Sequence, residues 1–167
     1  MADTTQKRND DQPKGAAEVK RVPDVIEERK EWIINRWLER VQSAAELMAV
    51  SLSEAERKDH VPALLDEAVA HACGHRILVE ERQKAAERHG TLRYHQAYSI
   101  PMLILEAYLL QDVVADCIRD NFPIIDLRSL ISDMAKISAT LAAELEESAR
   151  AYMKQYEWHG SRIIERF

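Results

Sequence analysis

The stretch MLILEAYLLQDVVADCI, residues 102–118, is apolar on nearly every side when it is drawn as a helix. A helix that is apolar all round is surrounded by other helices, so this segment is predicted to lie at the centre of a bundle. Ser99 and Pro101 stand just before it, where a cap and a first helical turn are expected. Apolar and polar residues do not alternate with a period of two in any segment, so no strand is predicted.

Other segments carry apolar residues three and four positions apart, which predicts one face of a helix in each. The last of them keeps an apolar stripe from Leu127 through Met134 to Tyr156. The predicted features, in chain order, are a helix from Pro23 to about Val50, a capping box of Ser53 and Glu56, a helix from Pro62 that Gly74 ends, a helix over residues 77–95, a helix capped by Ser99, and a helix from Asp126 to Gly160. The chain is therefore predicted to be an all-α bundle of five or six helices, with a central apolar helix and a long C-terminal helix.

The composition fits a single globular domain. The chain has 167 residues, 46% of them hydrophobic and 31% charged, with 4 glycines and 5 prolines. This is enough for one hydrophobic core, and it is too poor in turn-forming residues for a β-sandwich. Residues 1–22 are polar and aperiodic and are predicted to form a flexible tail, which leaves residues 23–167 as one helical bundle domain.

Charge and targeting signals restrict the partners and the compartment. The net charge of −6 argues against nucleic acid as the main partner. No run of about 18 apolar residues is present, so no membrane span is predicted. The N-terminal sequence lacks the apolar core of a secretory signal, and Cys73 and Cys117 are then expected to be reduced thiols in a cytoplasmic protein.

The predicted C-terminal helix is longer than the globule to which it belongs. At ~1.5 Å per residue it spans roughly 50 Å, against a diameter of roughly 40 Å for a compact chain of this size. Its distal half is either a solvated surface helix or one that pairs with another chain. Trp32 and Trp37 point to different faces of the first helix, so one is expected in the core and the other, Trp32, at an interface. A homodimer through the first and last helices is predicted, with the interface residues Trp32, Tyr152, Tyr156 and Trp158.

A polar segment, HGTLRYHQAY at residues 89–98, directly precedes the central apolar helix. Glu106 falls inside that helix, where a buried acid needs a partner, and Arg93 is the candidate. Buried polar groups seek one another, so a cluster is predicted where the helix from Pro62, the helix over residues 77–95 and the central apolar helix meet. Its members are His60, His89, Arg93, Gln96, Tyr98 and Glu106. The cluster is interpreted either as a structural network that fixes how the helices dock or as a small-ligand or regulatory site.

The sequence HACGH at residues 71–75 places three potential metal ligands, His71, Cys73 and His75, close together. Gly74 interrupts the helical geometry, however, and no second ligand pair follows at the spacing of a zinc finger. Phosphate loops, metalloprotease motifs, nucleophile elbows and CxxC pairs are also absent from the sequence. His89 lacks the neighbours of known phosphoacceptor histidines. The chain is therefore predicted not to be an enzyme, and no catalytic residue, metal ligand or cofactor is assigned.

Three segments together resemble a known family, RKDHVPALL at residues 57–65, AERHGTLRYHQAY at 86–98 and LILEAYLL at 103–110. In order and spacing they are similar to the helical N-terminal domain named after the RsbT co-antagonist RsbRD, over about residues 25–150. One departure is Ala97, at a position where the family pattern has glycine. Another is that the family's domain usually precedes a kinase or STAS output domain. This sequence stops at Phe167, as either a free-standing regulator or a piece cut at the output junction.

The resemblance implies a sensory or regulatory module of bacterial stress signalling and of two-component systems. The leading prediction is a non-catalytic, cytoplasmic signalling module that acts through protein–protein contacts, with a histidine kinase or a STAS or stressosome protein as its partner. The alternative is a helical sensor that holds haem or a metal ion with His60, His71, His75 or His89. A third hypothesis is a phosphoacceptor protein or small enzyme that uses His89.

Overall fold

The computed structural model describes residues 18–76 and 78–164, with side chains as far as residue 158. In chain order the elements are α1 (Val22–Glu28), α2 (Lys30–Ser43), α3 (Ala45–Met48), α4 (Glu54–Lys58), α5 (Val61–Ala72), α6 (Val79–His95), α7 (Ile100–Asp120), a 3-10 helix (Phe122–Ile124) and α8 (Leu127–Ile164). The described part of the chain contains no strand, only an isolated bridge between Lys20 and Ile125. The predicted all-α bundle with a long C-terminal helix is confirmed. None of the described helices combines the length and the apolar character that crossing a bilayer requires.

The helix boundaries follow local capping chemistry. Before α4, the Glu56 backbone N–H donates to the Ser53 hydroxyl at 3.3 Å, and the Glu56 carboxylate accepts from the Ser53 N–H at 2.8 Å. The Ser99 hydroxyl accepts from the Met102 N–H at the start of α7. Gly74 follows α5 with a φ of +82°, a conformation that glycine adopts without strain. These predicted start and stop signals are confirmed.

The predicted first helix is wrong in one respect, because it is broken into α1, α2 and α3. The breaks fall at Arg29, with φ −102° and ψ 8°, and at Ala44, with φ −89° and ψ 104°. The apolar stripe of the sequence has its gap at Lys30, directly after the first break. Each piece can therefore direct its own apolar residues into the common core, which contains Val22, Val25, Ile26, Ile33 and Trp37.

α7 lies inside the bundle, but it is not enclosed on every side. It packs against α1, α2, α3 and α8, and buries Leu103, Leu110 and Val113. Ile104 and Tyr108, one turn apart, are 49% and 60% exposed. The expectation that other helices surround this segment is corrected, because no described helix covers the face that carries these two side chains.

α6 and α8 form the most extensive helix pair. They approach so closely at Gly90 that a Cβ atom there would lie 2.7 Å from the Ser148 carbonyl carbon and closer still to its oxygen. At the same crossing the Ser148 hydroxyl lies 2.9 Å from the Ala86 carbonyl oxygen. Glycine lowers the stability of a helix interior, and the close approach to α8 explains why α6 carries one.

The predicted apolar stripe of the last helix is only partly buried. Ile137, Leu141 and Tyr152 are buried, whereas Leu127 is 60% and Met134 is 36% exposed. Met134 and Tyr152 are about five full turns apart and so lie on one face of α8. Their different burial therefore follows from the neighbours of each turn, because α6 packs beside Tyr152.

The folded part of the chain begins before the predicted boundary at residue 22. Residues 1–17 of the predicted tail lie outside the described residues. The Lys20 N–H donates to the Ile124 carbonyl at 2.7 Å, and the Arg21 guanidinium pairs with the buried carboxylate of Asp133. Val22 is fully buried at the start of α1.

Candidate functional site

The buried polar cluster is centred on an ion pair between α6 and α7. Arg93 Nε and Nη2 donate to the two carboxylate oxygens of Glu106, at 3.0 and 2.8 Å. The remaining donors reach the Gln96 side-chain oxygen at 2.7 Å, the Glu56 carbonyl at 3.3 Å and the Arg57 carbonyl at 3.2 Å. Every N–H of the Arg93 guanidinium thus has an acceptor, and the side chain has no exposure to solvent.

A second buried arginine, Arg57, extends the network. It is 2% exposed and donates to the Tyr98 hydroxyl at 3.1 Å and to the Val50 carbonyl at 2.6 Å. The Arg93 guanidinium lies 4.9 Å from the centre of the Tyr98 ring. Sequence reasoning missed Arg57 as a site residue, because it stands in a charged segment that is typical of a solvated surface. The only signal was its place at the head of the motif at residues 57–65.

The turn between α6 and α7 contains an unfavourable backbone conformation. Ala97 has a φ of +61°, the left-handed region that glycine enters without cost. The turn is closed by hydrogen bonds from the Tyr98 N–H to the Arg93 carbonyl at 3.0 Å and from the Ala97 N–H to the Tyr94 carbonyl at 3.1 Å. Ala97 therefore occupies a position where the geometry favours glycine, which is the residue of the family pattern noted above.

His60 and His89 form a pair of contacting rings beside the ion pair. Their ring centres are 3.5 Å apart, and His89 Nε2 lies 3.9 Å from a Glu106 carboxylate oxygen. Burial and the Arg93 charge lower the pKa of His60 to about 3. Burial, His60 and Arg93 also hold the pKa of His89 well below its usual range. Both rings are consequently neutral at pH 7.

Glu144 of α8 completes the cluster, and sequence reasoning missed it. It is 9% exposed, and burial, together with the charges of Glu106 and Glu67, raises its pKa to about 7. The Ser148 hydroxyl lies 2.7 Å from Glu144 Oε1 and 2.9 Å from the Ala86 carbonyl. One hydroxyl proton cannot serve both acceptors, so a protonated Glu144 donating to Ser148 satisfies the chain of hydrogen bonds. The residue stands among several charged side chains in the distal half of the predicted helix, a pattern that does not single out one buried acid.

A small cavity and a surface groove meet at this cluster. The cavity has room for about one water molecule, and its polar lining is His60, His89, Glu106 and Glu144. The groove has a volume of about 1200 Å³ and runs between the start of α5 and α6. Of the residues in the cluster, His60 and Glu144 line both spaces.

The structure separates the histidines that were considered as metal or haem ligands. His71 Nδ1 lies 2.9 Å from the Thr140 hydroxyl, away from the cluster, while Cys73 and His75 are exposed. Among the described residues, the side chains that bring three potential ligand atoms together are His60, His89 and Glu144. The HACGH segment forms no such group there.

The predicted interface residues have different environments. Tyr152 is buried, which corrects its assignment to an intermolecular surface: its hydroxyl donates to the Tyr98 carbonyl at 2.7 Å and Tyr94 packs on its ring. α6 runs beside α8 to this level and so covers it. Trp32, Tyr156 and Trp158 are 38%, 63% and 52% exposed.

α8 also exposes an apolar row that shares Leu127 and Met134 with the predicted stripe and otherwise differs from it. Apart from two adjacent residues, its exposed members follow one another at three- to four-residue spacing. They are here called the α8 stripe, namely Leu127, Ile131, Met134, Ala135, Ala139 and Ala142. Ile131 is 77% exposed, which is unusual for a large apolar side chain of a compact bundle.

Comparison of the chain with protein-family models, with curated proteins and with solved structures gives no match. The functional interpretation therefore rests on the geometry of the cluster, the groove and the α8 stripe.

Proposed function

We propose that the chain is a non-catalytic, cytoplasmic signalling module that acts through protein–protein contacts, as the resemblance to the RsbRD N-terminal domain implies. The observation that carries the proposal is the continuity of α8. One side of this helix supplies Glu144, Ser148 and Tyr152 to the buried contacts with α6, and another side exposes the α8 stripe. A single helix that belongs to an internal site and to an outer surface can pass a change in packing from one to the other.

The bonding within the cluster favours regulation over catalysis. Arg93 has no donor left for a substrate phosphate or carboxylate, because each is used within the chain. Glu106 is held through both oxygens by the same guanidinium. A catalytic group must face its substrate, and the groove reaches only His60 and Glu144 of this cluster.

The partner that fits the α8 stripe best is a second copy of the chain. The stripe is bulky near its start, at Leu127 and Ile131, and small near its end, at Ala139 and Ala142. Two copies packed antiparallel would place the bulky half of each against the small half of the other, with Ala135 near the two-fold axis. Such a self-complementary patch is what a closed two-fold dimer requires.

Sedimentation equilibrium of the full chain tests the dimer and its connection to the cluster. We expect Ile131→Asp to make the protein monomeric, because it would bury an unpaired charge. Glu144→Gln should change the dimer dissociation constant by at least about fivefold, if the cluster and the stripe are coupled through α8. Glu46→Gln, at an exposed position of α3, is the control and should leave the constant unchanged.

The downstream partner is proposed to be a histidine kinase or a STAS-type protein. The measurement is the autophosphorylation rate of a histidine kinase from the same organism, with and without the purified protein. A change in rate that Ile131→Asp abolishes and Glu46→Gln preserves would support the proposal. A chain that stays monomeric at high concentration and leaves the kinase rate unchanged would contradict it.

A further inference from the structure

We propose that His60, His89 and Glu144 form a binding site for a divalent transition-metal ion such as zinc. The three side chains come from separate parts of the fold, since His60 directly precedes α5, His89 lies on α6 and Glu144 lies on α8. Their potential ligand atoms all lie within 4.8 Å of one another. The proposal is independent of the signalling function, because it concerns only what these side chains bind.

The separations are close to those that a metal site needs. Zinc at ~2.0–2.1 Å from nitrogen and oxygen ligands in tetrahedral geometry sets neighbouring ligand atoms roughly 3.4 Å apart. The present atoms lie within 4.8 Å of one another, so they need to close by at most roughly 1.4 Å. Rotation of the two imidazole rings out of their mutual contact, at a centroid distance of 3.5 Å, would bring their nitrogens toward a common point.

An unsatisfied polar atom marks the same place. His60 Nδ1 is buried and has no hydrogen-bond partner, whereas the great majority of buried polar side-chain atoms have one. The cavity next to it has room for about one water molecule, which is the space that a single ion occupies. Apolar side chains such as Leu64, Leu103 and Leu141 form the rest of its wall and would shield an ion from bulk water.

The donor set selects the class of metal. Two imidazoles and one carboxylate suit zinc and its neighbours, such as cobalt, nickel and iron, better than the hard ions calcium and magnesium. The same cavity has no space for haem. An ion can enter from solvent without unfolding of the bundle, because His60 and Glu144 also line the surface groove.

Neighbouring groups hold the proposed ligands in place. Glu144 is hydrogen bonded to the Ser148 hydroxyl at 2.7 Å. His89 Nε2 lies 3.9 Å from Glu106, whose carboxylate is fixed by Arg93. A carboxylate beside one ring nitrogen commonly orients the other nitrogen of a metal-binding histidine.

Titration of the metal-free, untagged full chain with Co²⁺ tests the site. We expect one Co²⁺ per chain, a visible ligand-field absorption band, and competition by Zn²⁺. His60→Gln, His89→Gln and Glu144→Gln should each weaken Co²⁺ binding by at least about tenfold. The matched controls are His75→Gln and Cys73→Ser in the exposed HACGH segment, which should bind Co²⁺ as the wild type does.

A second measurement on the unmodified protein removes any dependence on how well the variants fold. Bound Co²⁺ should produce its largest paramagnetic NMR shifts on the methyl groups of Leu64 and Leu141, which line the cavity. Absence of stoichiometric binding would overturn the proposal. So would binding that His75→Gln abolishes, or largest shifts on methyl groups outside the cavity.

Discussion

The Arg93 guanidinium donates to both carboxylate oxygens of Glu106, at 3.0 Å from Nε and 2.8 Å from Nη2, and neither side chain is more than 3% exposed. Burial raises the pKa of Glu106, and the Arg93 charge opposes that rise. A desolvated pair of this kind is costly to assemble and more costly to break. The pair therefore helps to fix how the end of α6 lies beside the start of α7, since another arrangement would leave both charges buried and unpaired.

Removal of one partner should reveal this cost. We expect Glu106→Ala to lower the free energy of unfolding by about 3–5 kcal/mol, because Arg93 would remain buried without its counter-charge. The measurement is urea unfolding followed by circular dichroism. The control is Arg150→Ala, which breaks an exposed pair with Glu146 and should cost at most about 1 kcal/mol. Equal effects of the two substitutions would mean that the Arg93–Glu106 pair does not behave as a buried one.

The contact between α6 and α8 predicts a strong effect of one added methyl group. Gly90→Ala would place a Cβ atom on the Ser148 carbonyl, whose backbone cannot turn aside. We expect a loss of about 3 kcal/mol, at the upper end for overpacking, although alanine is the better helix former. The control is Gly74→Ala, where nothing lies within 4 Å and only the φ of +82° opposes the side chain. Gly74→Ala should lower the free energy of unfolding by about 1–2 kcal/mol. A Gly90→Ala protein as stable as the wild type would mean that α6 and α8 are farther apart.

The conformation of Ala97 predicts a stabilising substitution. Its φ of +61° destabilises the folded state by about 1–2 kcal/mol for an L-residue, and glycine avoids this penalty. Glycine also raises the conformational entropy of the unfolded chain, which offsets part of the gain. We therefore expect Ala97→Gly to raise the free energy of unfolding by about 0.5–1 kcal/mol. Ala115→Gly, at an exposed position inside α7, should instead lower it by about 1 kcal/mol. If thermal unfolding showed that both substitutions change the stability in the same direction, the left-handed conformation of Ala97 would be contradicted.

These examples show which parts of the structure can be predicted from sequence. Helices and their caps follow from short-range rules, so the capping residues Ser53 and Ser99 and the stop at Gly74 were identified correctly. The pairing of Arg93 with Glu106 also followed from a general rule, since an acid in an apolar helix needs a partner. The two side chains meet although they are 13 residues apart, because the turn at Ala97 brings the end of α6 beside the first turns of α7.

Features that depend on packing between distant helices were missed. The division of the first helix at Arg29 and Ala44 is set by what each piece packs against, and the gap in the apolar stripe at Lys30 is its only local trace. Arg57 and Glu144 look like surface charges, and only the tertiary structure shows that neighbouring helices bury them. The assignment of Tyr152 to an interface failed for the same reason, since the extent of α6 beside α8 was unknown.

The raised pKa of Glu144 predicts that the free energy of unfolding of the wild type, relative to that of Glu144→Gln, depends on pH. Between its ordinary pKa near 4.5 and its folded pKa of about 7, the folded state binds more protons than the unfolded state. The wild type should therefore lose stability relative to Glu144→Gln as the pH rises through this range, by about 3 kcal/mol in total. The opposite contributions of His60 and His89, whose folded pKa values are lowered, are common to both proteins and largely cancel in the difference.

Urea unfolding of both proteins in metal-free buffer at pH values from 4 to 8 measures this difference. Glu46→Gln is the surface control, and its stability should run parallel to that of the wild type. A constant difference between the wild type and Glu144→Gln across the range would show that Glu144 is not held in a buried environment.

The end of α8 predicts different outcomes for two truncations. The homodimer predicted from the sequence implies that a chain cut after Glu147 stays folded but becomes monomeric. Ser148, Ala151 and Tyr152, however, are at most 9% exposed and pack against α6 or hydrogen bond to it and to the following turn. We expect this truncation to cost more than about 3 kcal/mol of unfolding free energy, through lost burial and a cavity beside α6. A cut after Gln155 keeps these contacts and should change stability by less than about 1 kcal/mol.

The same pair of proteins locates the dimer interface. The chain cut after Gln155 lacks the exposed Tyr156 and Trp158 but retains the whole α8 stripe. If two copies pair through the stripe, this truncated chain should still be dimeric in light scattering, and adding Ile131→Asp should make it monomeric. A truncated chain that is folded and monomeric without that substitution would place the interface at the tip of α8, because only the tip was removed.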